Sequence, residues 1–283
     1  LLMGDEKLGE QYCASLEDVT DVFGDFIPLI FSYLFDDYFP LIDTFVAPDG
    51  RAGLTRARDS IVHVLMSRKR PVIINPVDST FMRYIETLDP RIKDKDIAEI
   101  AAFVERVLGV EFLIQRVPPR YIIKMKDMEL PIQRSPSGFR EIAPLIWALK
   151  YGIEKGSLLI IEEAEAHLHP DAKIIITRAL AGVSRHGGVL LTTHSISVLD
   201  EISNLIRLNK LEEKEKKELG YEDWEGIGPE KIAIYCIHDG GAELLDIDEE
   251  GISESGLDRI VEEIANLHAE VAMRFKRRKK EDV

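Results

Sequence analysis

Two runs, Ser157–Ile161 and Val189–Thr193, constrain this chain more than any other feature. Each is continuously apolar rather than alternating, as in a parallel strand buried on both faces. Between them Pro170 sits at a favoured first helical position, and Gly187-Gly188 supplies a stop. A second helix follows, with Ser197 and Asp200 spaced like a capping box. Upstream, Gly138 to Gly152 reads as an amphipathic helix with Phe139, Ile142, Leu145, Leu149 and Ile153 on one side. Pro144 lies inside it and should bend it or remove one backbone bond. Strand, helix, strand, helix implies parallel strands joined by right-handed crossovers, an α/β fold.

The flanking regions differ. Residues 1–110 read as a mostly helical lobe, with Ala57, Ile61, Val64 and Leu65, then Ile97, Ile100, Ala101, Val104 and Leu108, at helical spacing. Its aromatic stretch, Phe23 to Phe45, is expected to be core or a covered face. Residues 111–208 form the core region, opening with short strands at Glu111–Arg116, Arg120–Met125 and Leu130–Gln133. Residues 209–283 are a charged excursion, expected to be a solvated loop or short hairpin over 209–229, then a hairpin and a final helix. The hairpin joins Ile232–Ile237 to Leu244–Ile247 through Asp239-Gly240-Gly241. The helix runs from Glu254 to about Lys276, with Ile260, Ile264, Leu267 and Val271 in register.

With 36 basic and 51 acidic residues the net charge is −15, which disfavours wrapping nucleic acid over the whole surface. The local exception is Arg274-Phe275-Lys276-Arg277-Arg278-Lys279-Lys280, a solvated tail or a nucleic-acid contact. Two cysteines, Cys13 and Cys236, exclude a disulfide scaffold and fit a reducing cytoplasm, the expected location. The most apolar run, Phe26 to Phe35, is far short of the roughly 20 residues a spanning helix needs. No signal peptide is read at the start. The chain opens on Leu1, and the expectation is a fragment of a longer protein.

The chemistry concentrates where the first buried strand ends, at Glu162-Glu163. Ligands bind at the carboxyl ends of strands in open α/β sheets. One carboxylate there can hold Mg²⁺, directly or through water. The other can orient or deprotonate a water attacking a phosphoryl group. An acidic pair after a strand is also common on solvated loops. The second strand strengthens the functional reading, because it ends at His194, 31 residues beyond Glu163. An imidazole there can hydrogen-bond a terminal phosphate oxygen or the attacking water. Upstream, Ser137-Gly138 opens a helix whose exposed backbone N–H groups could bind phosphate, the plain alternative being an N-cap. His167 and His169, with Glu165, lack the third ligand of a zinc pattern and read as loop and helix cap before Pro170.

The order of these elements resembles the carboxyl half of an ABC-class ATPase of the non-transporter, SMC-like and OLD-like kind. The resemblance is specific over residues 130–208. Ser137-Gly138 is similar to the core of the ABC signature, in a degenerate form. LLIIEE resembles Walker B, which implies Glu162 on the metal side and Glu163 as the catalytic Glu. Ala164-Glu165-Ala166-His167-Leu168-His169-Pro170 resembles the "EPEAHLHP" stretch that covers the D-loop, and places His169 among candidate nucleotide-binding residues. His194 resembles the switch His. Phe45–Arg56, FVAPDGRAGLTR, resembles more weakly a "PAxRxG" stretch of related ATPases. The resemblance implies a P-loop NTPase-like core, with ATP and Mg²⁺ as cofactors and a homodimer formed on ATP binding.

One departure matters. The 283 residues contain no Gly-x-x-x-x-Gly-Lys-Ser/Thr and no Gly-Lys dipeptide. A P-loop cradles phosphates with backbone N–H groups and a Lys. The expected partner is therefore an amino-terminal, P-loop-bearing segment. Two readings stand beside each other: an ATPase half-module, and an ATPase-like scaffold that pairs with a partner without catalysis. An OLD-like nuclease would need a metal-binding domain after His194, where only 89 residues remain and no acidic triad is evident.

Overall fold

The computed structural model describes residues 43–66, 76–116, 119–126, 128–238, 241–253, 266–267 and 269–275. Cys13, nearly all of the Phe23–Phe45 aromatic stretch, the tip of the 239–241 turn, most of the final helix and the basic tail after Phe275 lie outside these residues. Two compact units emerge. One contains residues up to Ala172 with Val183–Thr192, the other Lys173–Gly182 with Thr193 onward.

The first unit opens with β1 (Thr44–Ala47), α1 (Arg51–Met66), α2 (Pro76–Thr87) and α3 (Lys95–Leu108). Helix α3 carries its own start and stop signals. The Asp94 carboxylate accepts from the N–H groups of Asp96 and Ile97 at 2.9 and 3.2 Å, and Gly109 ends the helix at φ 66°. The expected short strands follow as β2 (Glu111–Arg116), β3 (Pro119–Met125) and β4 (Met128–Pro131), an antiparallel sheet in that order. The third strand begins two residues earlier than its sequence suggests, and Ile132–Arg134 is a 3₁₀ turn.

Helix α4 (Ser137–Tyr151) departs from expectation. It keeps Pro144, but Glu141 through Leu149 are all buried, so it is a central helix rather than an amphipathic one. Helices α1 and α3 and strand β2 all pack on it. Trp147 meets Tyr121 of β3 edge-on at 4.7 Å between ring centroids. Burial on several sides explains why its sequence, including Ala143 and Ala148, carries so little polar surface.

The two apolar runs form β5 (Leu158–Ile161) and β6 (Gly188–Leu191); β5 is buried as expected, but β6 is not, its residues being half-buried with Leu190 exposed. They pair in parallel, Leu158 with Gly188 through Ile161 with Leu191. The third strand of this sheet is β1, parallel to β5 with Thr44 opposite Leu158 and Ala47 opposite Ile161. It lies within the stretch read as mostly helical. Four residues are too few to display a period, and the strand exists because β5 offers it an edge. Helix α5 (Pro170–Val183) ends a little before the Gly187-Gly188 pair and contributes its middle to the second unit.

Gly187 is where β5 and β6 begin to converge. A Cβ there would lie 2.3 Å from the Ser157 carbonyl oxygen, a backbone atom that cannot rotate away. Gly187→Ala should therefore destabilise the chain by about 2 kcal/mol, within the range for overpacking. Urea midpoints for the two proteins check this, and equal midpoints would show that the strands can separate at no cost.

The second unit contains α6 (Ile196–Leu208), α7 (Glu213–Glu218), β7 (Tyr235–His238), β8 (Gly241–Leu244), β9 (Ile247–Asp248) and β10 (Gly251–Ile252). The capping box expected at Ser197 and Asp200 does not form. The N-cap is Ser195, whose hydroxyl meets that of Ser197 at 2.9 Å, and Asp200 lies too far along the helix to reach back. The core joins Leu205, Ile206, Leu208 and Ile227 with Ala181, Ile202 and Ile252. The 209–229 excursion is therefore neither a solvated loop nor a short hairpin. It contains α7, buries Glu225 and Ile227, and brings Trp224 against Gly182. The expected hairpin is present, shifted to β7 and β8, and residues 269–275 are helical. No helix among the described residues is long and apolar enough to cross a membrane.

Candidate phosphate and metal site

The acidic strand end is built by three parallel strands finishing at one level. The Glu162 N–H donates to the Ala47 carbonyl at 2.9 Å, and the Thr192 N–H to the Ile161 carbonyl at 3.0 Å. These bonds extend both ladders one residue past β5 and β6. Glu162 is exposed, and its Oε2 accepts from the Asp49 N–H at 2.9 Å. Asp78, in the first turn of α2, has its carboxyl pushed above the usual range by burial and then by the nearby charge of Glu162.

Glu163 turns the chain out of the strand. Its backbone is in the left-handed region at φ 44°, a conformation that costs a non-glycine residue roughly 1–2 kcal/mol. Its N–H donates to Thr192 Oγ1 at 3.1 Å, and its carbonyl accepts from the Ala166 N–H at 2.9 Å. Strain of this kind persists where surrounding bonds impose it, and it concentrates at functional sites. His167, in the same turn, is also left-handed at φ 57°.

Beneath this turn lies Arg51, 2% exposed at the start of α1. Its guanidinium donates to the carbonyls of Glu162 at 2.6 Å, Glu163 at 3.1 Å, Pro48 at 3.1 Å and Glu141 at 3.3 Å. It also pairs with the Glu141 carboxylate at 3.0 Å, whose other oxygen accepts from the Ala52 N–H at 3.2 Å. Burial pulls Arg51 below and pushes Glu141 above their usual ranges, each against the attraction of the other.

Glu141 belongs to α4, the helix that Ser137 opens. Ser137 is not an N-cap. Pro136 occupies that position, no side chain caps the helix, and Ser137 is an exposed first helical residue. The nearby Ser135 hydroxyl donates instead to the Ile132 carbonyl at 2.7 Å. Gly138 faces the turn after Glu163. A Cβ on it would come within 3.3 Å of the His167 carbonyl oxygen and 3.6 Å of the Leu168 side chain. The helix start and the loop after the acidic pair are thus in close contact.

The structure brings Glu162, Glu163, Ser137 and Gly138 into the first unit. His169 lies there too, exposed, its Nδ1 accepting from the Asp171 N–H at 3.4 Å, so it caps α5 as the sequence suggested. His194 is exposed and belongs to the second unit, two residues beyond Thr192. Arg51, Asp49 and Thr192 escaped the sequence reading. FVAPDGRAGLTR held the only signal for the first two, and β1 has to be recognised before that signal has a place.

No group of three or more His, Cys, Asp or Glu side chains among the described residues is arranged to hold a metal. Mg²⁺ commonly takes one or two carboxylates and completes its shell with water and phosphate oxygens. The exposed hard oxygens of Glu162 fit that demand; His167 and His169 form no metal-binding group.

Residues 67–199 match the family described as AAA ATPase domain. That span, a little under half of the chain, begins just after the end of α1 and runs through the acidic strand end and into α6. No curated protein matches the chain by sequence. One solved structure, from work on "ATP-driven dimerization and DNA stimulated activation of SMC ATPases", is 14% identical, covering 66% of this chain and 96% of that one at a TM-score of 0.38. The fold is α/β with a parallel sheet flanked by helices, and residues 67–199 are similar to an ATPase domain of the AAA kind. The family match agrees with the ATPase resemblance seen in LLIIEE and the residues around it.

Proposed function

We propose that this chain is the carboxyl-terminal part of an ATP-binding and ATP-hydrolysing ATPase of the ABC class that works as a dimerisation switch. The supporting observation is Glu163, held in a left-handed backbone at the end of a parallel strand, beside a turn that touches the Ser137–Gly138 helix start. In this reading Glu163 is the base for the attacking water and Glu162 the ligand of Mg²⁺, which supplies charge neutralisation on the phosphates. His194 hydrogen-bonds the terminal phosphate or the water, and His169 is assigned to nucleotide binding. Ser137 and Gly138 of one copy face the γ-phosphate bound on a second copy. The first-turn N–H groups of α4, which no side chain caps, suit that task.

The phosphate cradle comes from an amino-terminal, P-loop-bearing segment. The absence of Gly-x-x-x-x-Gly-Lys-Ser/Thr from these 283 residues supports that part of the reading. So does β6, an outer strand of the parallel sheet among the described residues, on which Leu190 is 47% exposed. Apolar runs of this kind are normally covered on both faces.

The test is made with and without that segment. The 283-residue chain alone should show negligible magnesium-dependent hydrolysis. The protein carrying the segment should hydrolyse ATP and dimerise with it. Ser137→Arg in that protein should leave folding and nucleotide binding nearly intact and block dimerisation, because a long side chain would occupy the space of the partner's γ-phosphate. Sedimentation with and without ATP reads this directly. A Ser137→Arg protein that dimerises and turns over normally would remove Ser137 from the site. A protein that binds its partner segment but never hydrolyses ATP would favour the scaffold reading.

A further inference from the structure

We infer that Arg51 is a positioning residue that locks the acidic turn at Glu162 and Glu163 to helix α4. For its effect on turnover the inference rests on the ATPase reading above; its structural part does not. Arg51 is buried, and its donors reach four main-chain carbonyls in three separate stretches of sequence, those of Pro48, Glu141, and Glu162 with Glu163. Two of these belong to the acidic residues themselves. A third belongs to Glu141, whose carboxylate also pairs with the guanidinium at 3.0 Å.

The arrangement serves a geometric purpose. A left-handed Glu163 is not the conformation this residue adopts on its own. Its carbonyl accepts from the Arg51 Nη2 group and from the Ala166 N–H. Those two bonds and the bond from its N–H to Thr192 fix the peptide planes on both sides, and therefore the direction in which its side chain leaves. The same guanidinium is tied to α4 three residues from Gly138, at Glu141. Displacement of the helix start would be felt at the acidic turn through one rigid, planar group. Lys could not reproduce this, because its ammonium is a point charge without a fork.

A plain structural role would give a different result from a positioning role, and a neutral pair separates them. Arg51→Met alone leaves Glu141 buried without its cation and is expected to lower the melting temperature strongly. Arg51→Met with Glu141→Gln removes both charges, keeps similar volumes and retains an oxygen for the Ala52 N–H. This double variant should stay folded and melt well above Arg51→Met alone, though below the parent, because methionine donates nothing to the four carbonyls. In the 283-residue chain, with no nucleotide, its Ala166 amide should exchange hydrogen about 10-fold faster, because the turn has lost its clamp. In the protein carrying the P-loop segment, kcat should fall about 10-fold or more with the KM for ATP unchanged. A well-folded double variant with parental exchange at Ala166 and parental kcat would overturn the proposal. If the unmutated, complete protein does not hydrolyse ATP, the ATPase reading fails, and the exchange measurement still decides whether Arg51 holds the turn.

Discussion

Glu163→Gln, in a protein that also carries the P-loop-bearing segment, should bind ATP and hardly hydrolyse it, with turnover lower by about 10²-fold or more. The amide keeps the size of the side chain and cannot accept a proton from the attacking water. A stable ATP-bound dimer should accumulate, visible as a larger species that persists in the presence of magnesium. The backbone adds a second expectation that ordinary strand ends do not share. Glu163 has φ 44°, where glycine is at ease and glutamate is strained by about 1–2 kcal/mol. Glycine also raises the entropy of the unfolded chain by a comparable amount. Glu163→Gly should therefore fold with no loss of stability while losing hydrolysis as completely as Glu163→Gln. Residual activity in either variant near that of the parent would mean that Glu163 is a turn residue and that another group activates water. A marked drop in the melting temperature of Glu163→Gly would mean that the side chain stabilises the fold, contrary to the strain argument.

The largest expected effect on stability lies in the second unit. The Glu225 carboxylate is buried and accepts from Arg178 Nε at 2.6 Å, from Arg178 Nη2 at 2.6 Å and from the Glu222 N–H at 2.6 Å. Arg178 also donates to the Gly220 carbonyl at 3.0 Å and lies 4.3 Å from the centre of the Tyr221 ring. Tyr221 in turn donates to Glu201 at 3.1 Å, and its hydroxyl is pushed up to about 12 by burial first and by that carboxylate second. This network fastens the 209–229 excursion to α5 and α6. Arg178→Ala would leave Glu225 charged and buried without its cation, a change that costs about 3–5 kcal/mol. Denaturant midpoints followed by tryptophan fluorescence measure it, since Trp224 sits against Gly182 in the same region. Arg178→Met with Glu225→Gln should recover most of the loss, because it removes both charges together. A loss below about 1 kcal/mol for Arg178→Ala would place the pair among surface ion pairs, whose contribution is small.

The elements legible in the sequence are those whose causes are local. The apolar run of β5 announces a buried parallel strand because nothing in it alternates; the same pattern marks β6 as a parallel strand but not its exposure, for its residues are half-buried and Leu190 is exposed. Helix α3 has its stripe, its Asp94 cap and its Gly109 stop within 16 residues, Asp94 to Gly109. The acidic pair can be read at the end of its strand because a chain leaving β5 must emerge at that edge of the sheet. What the tertiary structure alone decided depends on partners distant along the chain. Strand β1 is four residues with no period of its own, and it is a strand because β5 pairs with it 114 positions away. Arg51 looks like any helix-start arginine until the carbonyls of Glu162 and Glu163, 111 and 112 positions on, converge on it. Glu225 reads as one more acid in a charged stretch until Arg178, 47 positions back, draws it into the interior. The left-handed turn at Glu163 belongs to the same class, because local preference opposes it and hydrogen bonds from Arg51 and to Thr192, both distant along the chain, help hold it in place.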